Sequence, residues 1–142
     1  MAGARKTVKV AVEVPTWVGV KTVEVELTSS ELRAAKDPVV LKALVAVKVD
    51  GISKFADFKA LDEVVREAYR RSSVVRRLVD AKALAKVNGD EDLARAYLGA
   101  WLKASNWELP EDDPDAEQVS RQYYKLIWKM GSKYVLQDAP WM

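Results

Sequence analysis

The chain has 142 residues, nearly half of them apolar, and a formal net charge of +2. That length supports one hydrophobic core, and the apolar content argues against disorder over most of the chain. With no cysteine and no histidine, the chain excludes disulfides, cysteine nucleophiles, histidine general bases and the usual zinc sites.

The small net charge hides segregation. Residues 89–120 hold two basic and nine acidic residues, while the flanking segments are all net positive. Such asymmetry serves a nucleic-acid face or head-to-tail contact between copies. Scarce Asn and Gln beside abundant Val, Lys, Arg and Glu point to a thermophilic source. No apolar run is long and charge-free enough to span a bilayer. The basic start, Met1 to Lys6, leads directly into an alternating segment and not into an apolar signal core. The expected location is therefore the cytoplasm or the interior of a virion, without secretion.

Thr7 to Val14 alternates, with Val8, Val10, Val12 and Val14 on one face, the pattern of a half-buried strand. Lys21 to Leu27 alternates again, and the loop from Pro15 to Gly19 joins the two as an antiparallel hairpin with Trp17 at its tip. Thr28 and Glu31 have capping-box spacing and start a short helix to Lys36. Asp37-Pro38 repeats a helix-start signal. Beyond Val39 the pattern is ambiguous, but Val45, Val47 and Val49 alternate and favour a strand. Asp50-Gly51 then reads as a hairpin turn, with Ile52 to Phe55 pairing back.

Asp57 caps the helical stretch around which the chain is organised. Phe58, Leu61, Val64, Val65, Ala68 and Tyr69 recur at helical spacing, and Val75, Leu78, Val79, Ala81, Leu84, Ala85 and Val87 continue the stripe. Asn88-Gly89 is a stop. Asp90 caps a further helix whose stripe is Leu93, Ala94, Tyr97, Leu98, Trp101 and Leu102. Asp113-Pro114 starts a last helix, read to Met130, with Val119, Tyr123, Leu126, Ile127 and Met130 inward. Lys133 to Leu136 reads as a short strand and Gln137 to Met142 as a tail.

The predicted fold is α+β. A small antiparallel sheet, built from the N-terminal hairpin and a second hairpin, packs against four to five α-helices lying mainly in the C-terminal two-thirds. One domain covers 1–142: mainly β with one or two short helices over 1–56, helical over 57–131, and a strand or tail over 132–142.

The paired acids Glu91/Asp92 and Asp112/Asp113 fall where helix starts want negative charge. No nucleophile stands beside a base, and no phosphate-binding glycine loop, metal-ligand spacing or cofactor motif occurs. The expectation is a protein that is not an enzyme and has no metal, cofactor or small-molecule substrate. If 58–87 is one unbroken helix, Lys59, Arg66, Arg70 and Arg77 fall on one stripe, flanked by Arg71 and Arg76, a rail for phosphates. The alternative for these residues is a solvated face paired locally with Glu63 and Glu67.

A second basic group, Arg121, Lys125 and Lys129 beside Tyr124 and Trp128, offers rings that stack on unpaired bases. Trp17 and Trp141 are read as partner-facing. Chain ends are usually disordered unless tied down, so an ordered Met1–Ala4 and an ordered tail to Met142 would be held, by the same chain, another copy or nucleic acid. The functional expectation is a self-associating structural protein, of the coat, nucleoprotein, single-strand-binding or chromatin type, that contacts DNA or RNA phosphates with little regard to sequence. The alternative is a protein-interaction or antitoxin-like regulatory module.

Overall fold

A computed structural model describes residues 6–54 and 56–142, apart from the side chain of Ser53. The chain divides into two compact units, Met1–Arg77 and Leu78–Met142. The described residues form two small antiparallel sheets and six α-helices, an α+β fold.

In the first unit, β1 (Thr7–Thr16) and β2 (Gly19–Thr28) form the expected hairpin. Thr16 lies opposite Gly19, so Trp17 and Val18 are the whole loop. Val23, Val25 and Leu27 of β2 are buried. On β1 only Val14 is buried; Val10 and Val12 are half-buried and Val8 is exposed.

Short-range capping then organises the helices. At α1 (Ser29–Ala34) the Glu31 N–H donates to Thr28 Oγ1 at 3.3 Å and the Thr28 N–H donates to Glu31 Oε1 at 2.8 Å, a complete capping box. Asp37 caps α2 (Pro38–Lys48) through the Val39 N–H. Here the expected strand is overturned: Val45 to Lys48 belong to this helix, and Val49 is its C-cap. Residues 43–47 are buried in unbroken succession. A helical run buried in unbroken succession shows no polar position, so its alternate valines imitate a strand. Asp50-Gly51 still turns, with Gly51 at φ 71°, but among the described residues a 3-10 turn over Ile52–Lys54 stands in place of the returning strand. Phe55 lies outside the described residues, as do Met1–Ala4.

Asp57 caps α3 (Phe58–Arg71), which packs on α2 and buries Leu61, Val65 and Ala68. The helix stops at Ser72, whose backbone is extended (φ −129°, ψ 118°), and α4 (Ser73–Lys86) begins at once. Residues 58–87 are therefore two helices.

In the second unit, Asn88 and Gly89 take positive φ and end α4, as their tolerance of the left-handed region predicts. Asp90 caps α5 (Glu91–Lys103), which buries Leu93, Ala94, Tyr97, Leu98 and Trp101. β3 (Glu108–Leu109) follows, and Asp113 caps α6 (Pro114–Gln122). Gly99 permits the close approach of α5 and α6, since a Cβ there would lie 2.6 Å from Asp115 Oδ2. Lys103 crosses the same gap to Asp115 at 2.8 Å and Asp113 at 3.3 Å. The Asp115 hydrogen bond, ahead of the Asp113 contact, raises the Lys103 pKa above its ordinary value.

The last helix is shorter than its apolar spacing predicts. It ends at Gln122, and β4 (Ile127–Met130) and β5 (Lys133–Leu136) form the molecule's second hairpin. Gly131 takes φ 64° in the two-residue loop, the position where such turns demand glycine. The sheet order is β3-β5-β4. The tail folds into its own unit. Trp141 is only 1 % exposed, and Lys82 Nζ donates to its carbonyl at 3.2 Å. Lys86 pairs with Asp138 at 3.1 Å, and the Tyr97 hydroxyl donates to the Asp138 carbonyl.

Candidate nucleic-acid interface

The break at Ser72 removes the straight stripe. Arg76 and Arg77 rise on a different helix from Lys59, Arg66 and Arg70, so helical phase no longer aligns them. Arg66 leaves the candidate set altogether. It is buried and pairs with Asp62 at 2.9 Å, one turn earlier on α3. A guanidinium on that side of the helix faces the core, so it brings its carboxylate in with it.

What the break creates instead is a basic corner. Arg70 and Arg71 end α3, and Arg76 and Arg77 lie in the first turns of α4. Arg76 Nη1 donates to the Tyr69 carbonyl at 3.3 Å, answering one of the acceptors that every helix C-terminus leaves open. Ser72 Oγ accepts from the Val75 N–H at 3.4 Å across the start of α4. Arg71 is partly occupied, pairing with Asp37 at 3.3 Å and Glu67 at 3.7 Å. All four arginines are exposed, as is Lys59. Among the described residues, no carboxylate lies within ion-pair distance of Lys59 or Arg77.

The second basic group is rearranged more deeply. Tyr124 and Trp128 are not neighbours on one helix: Tyr124 lies in the turn after α6, and Trp128 lies on β4. Both are exposed, at 74 % and 51 %. Trp128 and Met130 share the outer face of the sheet with Val135 and Lys133 of β5 and Glu108 of β3. Lys133 and Glu108 pair across that face at 2.8 Å. Lys129 points the other way, with its ammonium 5.5 Å from the centre of the Tyr134 ring. Arg121 pairs with Glu117 one turn earlier at 2.8 Å, and Lys125 is exposed. The sequence signal for this hairpin is Gly131-Ser132 between two short apolar runs, a two-residue loop signature.

The partner-facing tryptophans divide. Trp17 is 69 % exposed at the β1–β2 tip, beside Val18 at 98 % and Val20 at 64 %. Trp141 is core. Among the described residues, no cluster of acidic side chains has the arrangement of a metal site, and no helix is long and apolar enough to cross a membrane. Comparison with protein-family models, with curated proteins and with solved structures finds no match to this chain.

Proposed function

We propose that this chain is a non-enzymatic, self-associating protein that binds nucleic acid through its phosphates, largely independently of sequence. The observation that supports this most is the basic corner between α3 and α4. Arg70, Arg71, Arg76 and Arg77 are exposed within eight residues of one another, with Lys59 exposed at the opposite end of α3. Guanidinium forks suit phosphate oxygens, and each contact releases condensed counterions. Tyr124 and Trp128 in the second unit supply exposed rings for stacking on unpaired bases.

The test is fluorescence anisotropy of labelled DNA and RNA oligonucleotides, titrated with the full chain over a range of salt. Affinity falls steeply with salt, and the Arg70→Glu/Arg77→Glu variant binds at least about tenfold more weakly with a salt slope shallower by roughly 2. Salt-independent affinity, or a variant that binds like the parent, removes the reading.

One observation favours a second reading. Trp17, Val18 and Val20 form an exposed apolar tip on the hairpin, and such tips suit a pocket on another protein. On that reading the chain is an interaction or antitoxin-like module. It predicts that Trp17→Ser abolishes capture of a protein partner while nucleic-acid affinity is absent throughout.

A further inference from the structure

We infer that the free edge of β1 is a self-pairing surface, through which two copies of this chain join their hairpins into one four-stranded antiparallel sheet. The inference rests on the self-association half of the proposed function, to which it gives a surface, and needs no nucleic acid.

The backbone fixes which groups face the edge. The Pro15 carbonyl accepts from the Asp57 N–H at 3.3 Å, and Thr16 bridges to Ala56. Pro15 therefore turns away from β2, and so do Glu13, Ala11, Lys9 and Thr7, because alternate residues of a strand direct their N–H and C=O to opposite sides. Among the described residues, only the Pro15 end of this edge is covered; β1 pairs otherwise with β2 alone. An open edge of this length is a template for another strand.

The side chains select the occupant and its register. Lys9 and Glu13 stand symmetrically about Ala11 on the same face of β1. An antiparallel copy related by a two-fold axis at Ala11 sets Lys9 opposite Glu13 of the second copy, and Glu13 opposite its Lys9. The same register makes every edge-facing residue from Lys9 to Glu13 a hydrogen-bonded pair. On the other face it sets Val10 against Val12 twice, in the closer, non-hydrogen-bonded spacing. Val10 and Val12 are the β1 valines that their own unit leaves half-covered. A shift of the axis to Val10 sets Lys9 opposite Ala11, and a shift to Val12 sets Lys9 opposite Pro15, so both lose the charge match. Self-complementarity about one point is what an isologous interface requires.

Sedimentation equilibrium on the full chain, without nucleic acid, tests this by charge exchange. Lys9→Glu and Glu13→Lys each set like charges opposite one another twice, and each weakens dimerisation by at least about tenfold. The double variant regains the parent's affinity, and an equimolar mixture of the two single variants forms mixed dimers. Circular dichroism of each variant checks the hairpin itself, because Lys9 also lies opposite Glu26 of β2 whereas Glu13 lies opposite Thr22. Glu13→Lys, which places no like charge directly opposite within its own hairpin, carries the test if Lys9→Glu loses structure. Single variants that dimerise as tightly as the parent overturn the edge inference and leave self-association standing. A parent monomeric at all concentrations overturns both.

Discussion

Arg66 and Arg70 lie one turn apart on α3 and have opposite roles. Arg70 is exposed at the helix end, whereas Arg66 is buried with Asp62, which is itself 2 % exposed. Removing one partner of a buried pair strands the other charge away from water. Arg66→Ala is therefore expected to destabilise the protein by about 3–5 kcal/mol, whereas Arg70→Ala stays within about 0.5 kcal/mol. Urea unfolding followed by circular dichroism checks this; equal effects of the two substitutions contradict the assignment. The residues most legible in the sequence were the caps. Thr28, Asp37, Asp57, Asp90 and Asp113 each accept a backbone N–H as their position predicts, because capping is decided within three residues. Trp141 was not legible, because nothing local to a chain end says whether the core has room for it.

Glu31 shows how a single carboxylate ties elements together. Its Oε1 closes the capping box of α1 and meets Lys48 Nζ, at the end of α2, at 2.6 Å. The same ammonium donates to the Glu26 carbonyl on β2 at 2.6 Å. Burial pushes the Glu31 pKa up, but Lys48 and Thr28 outweigh it and hold the group below its ordinary value of 4.5. A carboxylate with a depressed folded value contributes stability above its unfolded pKa and loses it as pH falls through the folded one. The stability gap between the parent and Glu31→Gln should thus be widest near neutrality and shrink as pH drops below about 4.5. A gap that is constant from pH 7 to pH 3 refutes this ion pair. The misread elements share one cause: helix or strand was decided by non-local burial. Val45 and Val47 lie in the fully buried run 43–47 of α2, where tertiary packing overrides β-propensity. Leu126, Ile127 and Met130 fit a helical period, yet Ile127 and Met130 pair with Leu136 and Lys133 instead. The arginine stripe failed with its helix, since Ser72-Ser73 is equally acceptable inside a helix or as a break. The basic corner that replaces it follows from the break itself.

Charge is also partitioned over the whole chain. Met1–Arg77 carries fifteen basic and ten acidic residues, a net of +5, and Leu78–Met142 carries eight and eleven, a net of −3. Units of opposite sign in one chain attract one another between copies and bring phosphate-binding groups together on an assembly. On the proposed reading, the β1 edge supplies a symmetric contact, charge supplies a salt-sensitive one, and nucleic acid bridges the basic corners. Light scattering on the purified full chain, alone and with a mixed pool of DNA and RNA, at low and high salt, tests that combination most directly. The expected result is a small oligomer for the chain alone, a much larger particle with nucleic acid at low salt, and its dissolution as salt rises. A species whose mass is indifferent to both nucleic acid and salt contradicts this, and makes Arg70, Arg71, Arg76 and Arg77 an ordinary solvated face.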